Sequence, residues 1–158
     1  STGGALLELA ARIAMTEATL TAPALSAARD LGTAWALIGL VRAIPFHARA
    51  KRVFVPQALM ADTGVAVDDL FELRPGPGMG EIVRRICGEA ERLMAQAEIA
   101  LPGPPRSAYP VFLMAVLARR HLRFLTAGSF DVFAANLAAP PPATAWPLAG
   151  MWLRGRVW

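Results

Sequence analysis

Apolar side chains recur every three or four residues along most of the chain, which is the spacing of one face of an α-helix. The segments 5–20, 79–101 and 110–127 show this pattern over several turns, and shorter helices are predicted at 56–61 and 68–73. The longest of these segments has an apolar stripe that consists of Ile82, Val83, Ile86, Ala90, Leu93, Met94, Ala97 and Leu101. Only one short run looks strand-like, so the sequence predicts an all-α fold.

The first predicted helix has one apolar face, which we expect to be buried. The residues of this face are Leu6, Leu9, Ile13 and Leu20. Glycines at positions 64 and 128 are placed to close helices. Two more helices are predicted at 130–137 and 146–157, on either side of a proline-rich break.

Pro23 opens a helix, predicted to reach residue 43, that is small or apolar on nearly every side. A helix without a polar face belongs in the core. Pro45 should end this helix, because proline lacks the backbone N–H that the helical ladder needs. The longest apolar run, 31–41, is shorter than the ~18–20 residues of a membrane span, so no span is expected. The strand-like run VFVP follows at 53–56.

The composition of the chain is more apolar than that of an ordinary soluble domain. Hydrophobic residues make up 55% of the 158 residues, against a usual value of roughly 45–50%. The excess predicts an apolar face that is covered by another chain segment, a protein partner or a membrane surface, or that drives self-association. The net charge is +4, and the basic residues are not interleaved with aromatic ones, so nucleic-acid binding is not expected.

Few residues of the kinds that carry enzymatic or metal chemistry stand out. The single cysteine, Cys87, excludes an internal disulfide and fits a reducing compartment, and its place on a helix favours a core residue. Two histidines, His47 and His121, are too few for a histidine-rich metal site. Asp68 and Asp69 precede an apolar run, which favours a helix N-terminal cap over a metal site.

Four cations lie within eleven residues around the predicted helix break: Arg42, Arg49, Lys51 and Arg52. Guanidinium and ammonium groups among apolar residues suit a diphosphate or an acidic lipid head group. A solvated basic loop has the same pattern, so spacing alone leaves both interpretations open.

One longer motif spans the central helix and the basic run. Its residues are Asp30, Leu31, Gly32, Ala34 and Arg42 on the helix, then Lys51, Arg52, Phe54 and Pro56. A short V-D-D-L segment follows at 67–70, then the amphipathic helix at 79–101 and a Y-P-V-F-L segment at 109–113. In content and order these features resemble the squalene/phytoene synthase family, whose helix motif is D-L-G-x-A-x-Q-L-T-N-I-L-R-D-V-x-E-D.

The resemblance implies the C-terminal part of an isoprenoid-synthase (terpenoid-synthase) helical bundle. Residues 1–158 would then be a partial domain, and the family's first aspartate-rich motif would lie upstream of it.

The chain departs from the family pattern where the family's metal chemistry resides. In the family two aspartates hold Mg²⁺, which bridges the substrate diphosphate, whereas Ala43 and His47 stand at those positions here. Phe46 replaces the glutamate between them, and Ala36 and Gly39 replace the amide side chains further up the helix. Because Mg²⁺ requires oxygen ligands, the resemblance implies no catalytic residue, no metal site and no cofactor for this chain.

The form V-R-A-I-P-F-H, followed by K-R-V-F-V-P, is similar to one branch of the family. That branch includes the mitochondrial complex I assembly factor with a squalene/phytoene-synthase-like domain and its bacterial relatives. The similarity implies a non-catalytic factor that binds an isoprenoid, another lipid or a protein partner, and that is cytoplasmic or peripheral to the inner membrane. The alternative is a prenyl transferase that condenses isoprenyl diphosphates, with Arg42, Lys51 and Arg52 gripping the diphosphate.

Overall fold

The computed structural model describes residues 1–74 and 76–133, together with 149, 150 and 153. No strand occurs in these ranges, so the all-α prediction is confirmed, and 53–56 is irregular. The predicted helices at 130–137 and 146–157 lie mostly outside the described residues. The elements are α1 Thr2–Ala14, α2 Ala22–Arg49, α3 Gln57–Thr63, α4 Val67–Phe71, α5 Pro77–Ala100, a 3₁₀ turn Arg106–Ala108, α6 Tyr109–Phe112 and α7 Met114–Ala127.

Helix α2 is the centre of the fold, as its sequence predicts. It packs against α1 and α5 and also contacts α7. Leu31, Ile38 and Val41 share one face and are almost completely buried, as are Ile82 and Val83 of α5. Each such side chain contributes about 1.5–3 kcal/mol from removing apolar surface from water. The core therefore lies between α2 and its two long neighbours.

Helix α2 does not end at Pro45, which corrects the prediction. The helix continues to Arg49 with Pro45 inside it. Ile44 and Ala48 are buried on the same side as Val41, so continuing the helix removes further apolar surface from water. That burial offsets the backbone hydrogen bond that the proline cannot donate. As a result, residues one turn apart across Pro45 still share a helix face.

The longer helix also changes the membrane expectation. By length and composition, α2 is long and apolar enough to cross a membrane, since an 18-residue window has a mean hydropathy of 1.3. The expectation of no span was based on the apolar run 31–41, whereas the helix that contains this run has 28 residues. In the fold 39% of that window is buried, and a central helix of a water-soluble bundle has the same apolar composition.

Helix α1 buries the face opposite to the one predicted. Leu6, Leu9 and Ile13 are 66%, 55% and 79% exposed, whereas its buried positions are Gly4 and Ala11. Small residues face α2 because the two backbones approach closely there. A Cβ at Gly32 would lie 2.3 Å from the carbonyl oxygen of Gly3. The close backbone contact therefore decides the orientation of α1, and its larger apolar side chains point outward.

The remaining helices follow the sequence pattern with shifted ends. The apolar stripe of α5 is buried as predicted, but α5 begins at Pro77, two residues early. The predicted helix at 110–127 is divided at Leu113 into α6 and α7. Gly64 closes α3 with φ 67°, as expected for a glycine at that position.

The capping role predicted for the two aspartates at 68–69 is wrong: both lie in the first turn of α4, which has no side-chain cap.

Candidate functional site

The positions that correspond to the family's metal motif lie on the C-terminal half of α2. Ala43 and His47 are both half-buried and stand one turn apart on a continuous helix. The i, i+4 spacing that would aim two side chains at one ligand is therefore intact. Among the described residues, no three histidine, cysteine or carboxylate side chains converge as metal ligands. The helical backbone is therefore continuous through both positions, and the side chains at them are a methyl group and an imidazole.

His47 lies close to two aromatic rings at this end of α2. Its ring centroid is 4.4 Å from that of Phe54 and 5.5 Å from that of Phe46. The Nδ1 atom of His47 is buried and has no hydrogen-bond partner among the described residues. The imidazole of His47 therefore packs against phenyl rings, and its buried Nδ1 atom is not accessible to a metal ion.

The turn after α2 brings Phe54 back to His47. The N–H of Lys51 donates to the carbonyl of Ala48 at 3.0 Å, and the N–H of Arg52 donates to the carbonyl of His47 at 2.9 Å. Lys51 has φ 51°. These bonds form a Schellman motif, in which glycine usually occupies the left-handed position. The chain therefore turns sharply after α2, and the segment VFVP follows this turn.

Arg42 faces α7 rather than the end of α2. His121 of α7 packs edge-on against Trp35, with ring centroids 5.6 Å apart. Nδ1 of His121 lies 2.8 Å from the carbonyl oxygen of Leu117, and because a carbonyl only accepts, Nδ1 carries the proton. Burial, and then the nearby guanidinium groups of Arg42 and Arg120, lower the pKa of His121 against the raising effect of the Leu117 bond.

Arg42 and His121 present two unsatisfied polar atoms at the contact of α2 with α7. Nε of Arg42 and Nε2 of His121 are buried without a hydrogen-bond partner in the described part of the chain. With Nδ1 protonated, Nε2 of the neutral imidazole is an acceptor, while Nε of Arg42 is a donor. One atom is thus an unpaired donor and the other an unpaired acceptor.

The structure thus divides the predicted basic cluster into two parts. Arg42 is half-buried beside α7, whereas Arg49, Lys51 and Arg52 are exposed at the end of α2. The sequence-based prediction missed His121 as a neighbour of Arg42, and it missed Trp35 as the ring that packs against His121. The only available signal was the seven-residue spacing of Trp35 and Arg42, which puts them on one face of α2.

Two other chemically notable residues lie away from this region. Cys87 is 3% exposed, and burial, followed by the charge of Glu91, raises the pKa of its thiol to about 11. Its burial confirms the prediction of a core cysteine, and the raised pKa makes the thiol unreactive. Asp30 opens the sequence motif, and burial raises its pKa against the opposing charges of Arg92 and Arg29. Neither residue faces a metal-ligand cluster in the described ranges.

An open groove of about 570 Å³ lies between α5 and α7. Met94 and Leu122 line its apolar part, and Arg119 donates to Glu98 at 2.6 Å across it. The groove does not include the α2 positions of the metal motif. The candidate site is accordingly confined to the end of α2 and its contact with α7.

The described residues form an all-α bundle with α2, the helix of the sequence motif, at its centre. This is the architecture of the isoprenoid-synthase fold class. A model of the squalene/phytoene synthase family matches residues 1–146, and the chain belongs to this family. No solved structure matches the chain.

The curated relatives include proteins with two different names. The mouse "NADH dehydrogenase (ubiquinone) complex I, assembly factor 6" is 26% identical over 111 residues, which are 70% of this chain and 33% of the mouse protein. The human protein of the same name is 25% identical over the same length. The "15-cis-phytoene synthase" of Enterobacter agglomerans is 33% identical over 88 residues, 55% of this chain and 30% of that enzyme. The chain spans about a third of the length of these relatives.

Proposed function

We propose that this chain is a squalene/phytoene-synthase-like protein without the family's magnesium-dependent chemistry, and that it binds a lipid or partner as an assembly-type factor. The observation that carries the proposal is the pair Ala43 and His47. They occupy the motif positions on an unbroken helix, and neither side chain supplies an oxygen ligand. Alanine offers no ligand, and a neutral imidazole is a poor one for this hard cation.

The α2–α7 contact supports a binding role for the same face of the bundle. Nε of Arg42 is an unpaired donor and Nε2 of His121 an unpaired acceptor, and we infer that a hydroxyl or phosphate oxygen of an isoprenoid or another lipid pairs with them. Trp35 supplies an aromatic surface beside them. Arg42 is therefore the residue that recognises the head group, and Lys51 and Arg52 act separately from it.

The proposed assembly role is supported by the names of the curated relatives. Several curated relatives carry the name of a complex I assembly factor. We assign the same kind of role to this chain, at a location peripheral to the inner membrane where a respiratory complex is built. In cells that lack the protein, assembled complex I on native gels should fall and should return when the gene is restored. Unchanged complex I would contradict the assembly role.

A second candidate function is prenyl transfer, which the relationship to a phytoene synthase favours. In that case Arg42, Lys51 and Arg52 would hold the diphosphate of an isoprenyl substrate. Loss of catalysis is tested by incubating the chain with Mg²⁺ and farnesyl or geranylgeranyl diphosphate. We expect no pyrophosphate above a blank. Release that Arg42→Ala abolishes would establish the transferase instead.

Lipid binding is tested without Mg²⁺, by calorimetric titration of geranylgeranyl monophosphate into the chain. Arg42→Ala and His121→Phe should each weaken binding by about tenfold or more, because each leaves a polar ligand atom unpaired. Arg106→Ala is the matched control, since Arg106 is exposed on the distant 3₁₀ turn. Equal affinity in all four proteins would show that the lipid does not bind at Arg42 and His121.

A further inference from the structure

The net charge of the protein comes from one segment of the chain. The sequence has 16 basic and 12 acidic residues. Residues 31–61 contain four of the basic residues and none of the acidic ones. The twelve basic residues elsewhere cancel the twelve acidic residues, so the excess of +4 belongs to residues 31–61.

Three of these four cations are exposed together with two phenyl rings at the end of α2. Phe46 is 70% exposed and Phe54 is 55% exposed. Arg49, Lys51 and Arg52 are exposed, and no ion pair among the described residues neutralises them. We call these five residues the basic aromatic tip. Exposed rings beside uncompensated cations indicate a partner that is both apolar and anionic.

The cleft that two residues of the basic aromatic tip line, Arg52 and Phe54, is small. The cleft behind Phe54 and His47 holds only about 10 Å³, which is too small for a partner side chain or a diphosphate. The Schellman turn at Lys51 places Phe54 next to His47, so both phenyl rings lie close to one imidazole. Exposed phenyl rings beside so small a cleft are suited to insertion into a lipid surface rather than to enclosing a ligand.

We propose that the basic aromatic tip docks the protein on an anionic lipid bilayer. Phe46 and Phe54 enter the boundary between head groups and acyl chains, and Arg49, Lys51 and Arg52 contact the lipid phosphates. A free phosphate compound would satisfy the cations but would leave both rings in water. The inference rests on the peripheral location proposed above, and it does not depend on the loss of catalysis or on the Arg42 site.

Vesicle sedimentation tests the docking. The chain is mixed with vesicles of phosphatidylcholine alone or of phosphatidylcholine with phosphatidylglycerol. We expect binding only to the anionic vesicles, and addition of salt should weaken it. The triple variant Arg49→Gln/Lys51→Gln/Arg52→Gln should lose roughly a hundredfold in affinity, and Phe46→Ala/Phe54→Ala should also bind more weakly. The matched control is Ile99→Ala/Arg106→Gln, which removes a 79% exposed apolar residue and an exposed cation elsewhere.

One variant separates docking from folding. Lys51→Gly removes a cation and puts glycine at a left-handed position, so the melting temperature should rise while vesicle affinity falls. Insertion is measured with an environment-sensitive dye attached to the thiol of the Phe54→Cys variant. The dye reacts selectively with this thiol because Cys87 is buried. The emission should shift to the blue on anionic vesicles, whereas the dye on Ile99→Cys should not shift.

Three outcomes would overturn the lipid assignment. The first is equal binding to both kinds of vesicle or to neither kind. The second is unchanged binding in the charge and phenylalanine variants. The third is binding of the tip to labelled polyglutamate in the absence of vesicle binding, which would make it a surface for an acidic protein. Failure of vesicle binding would leave the pyrophosphate and complex I experiments unaffected, so the two proposals fail separately.

Discussion

The carbonyl oxygen of Gly3 lies directly against Gly32, where an added Cβ would stand 2.3 Å away. This contact brings α1 and α2 together more closely than any larger residue would permit. It also fixes which face of α1 is buried, because a side chain at Gly3 or Gly32 would meet the other backbone.

Gly32→Ala should therefore destabilise the protein by about 1–3 kcal/mol, since the new methyl group meets backbone that cannot rotate away. Gly39→Ala is the matched control on the same helix, because a Cβ at Gly39 meets nothing within 4 Å. That control should be stabilising by about 0.5–1 kcal/mol through helix propensity. Urea unfolding measures both, and equal effects of the two substitutions would refute the close contact.

The outward face of α1 predicts concentration-dependent self-association. Leu6 and Ile13 are 66% and 79% exposed, and water contact with these side chains is relieved when two such faces meet. Leu6→Gln/Ile13→Gln should shift the protein toward monomer in sedimentation velocity, whereas Ile99→Gln should not. A wild-type chain that stays a sharp monomer over a wide concentration range would contradict this prediction.

The unbroken helix at Pro45 predicts that a metal site can be restored with side chains alone. Ala43→Asp/His47→Asp places two carboxylates one turn apart, so the variant should gain Mn²⁺ affinity. At a Mn²⁺ concentration about ten times the dissociation constant, its melting temperature should rise by about 3–6 °C. Ala43→Asp/Arg49→Asp has the same added acids on different faces and should not respond. No Mn²⁺ response in either variant would show that Pro45 disturbs the motif after all.

His121 predicts a loss of stability at mildly acidic pH. Its pKa in the folded protein is below the ordinary value of 6.5, so the unfolded chain binds a proton more readily. The free energy of unfolding should therefore fall as the pH drops through the ordinary value, until the pKa of the folded state is passed. Urea titrations at about pH 7.5 and 5.5 measure the change. His121→Gln should flatten it, and an identical slope in the variant would exclude His121 as the cause.

The sequence was sufficient for the large elements because their burial follows helical periodicity. The stripe of α5 and the all-round apolar character of α2 each allow one placement, in the core. Periodicity failed at α1, where Leu6, Leu9 and Ile13 form the more apolar face but the glycines allow the closer packing. Backbone approach depends on the partner helix, which the pattern of a single segment does not contain.

At the candidate site, the sequence identified the residues but not their grouping. The motif comparison singled out Ala43 and His47, and the structure adds that Pro45 does not interrupt the helix between them. Arg42 was grouped with Lys51 and Arg52 because they are near in sequence. Its electrostatic neighbour is His121, which comes from a helix some eighty positions away. Contacts between distant segments of this kind require the tertiary structure.

Confining the excess charge to residues 31–61 also affects how the protein approaches a surface. Helix α2 is roughly 40 Å long, given about 1.5 Å per residue, and the uncompensated cations lie at and beyond one of its ends. An anionic surface therefore exerts a torque on the molecule before contact, and turns that end toward itself. The torque acts only within about one Debye length, ~8 Å at physiological salt, so orientation is set during the last nanometre of approach.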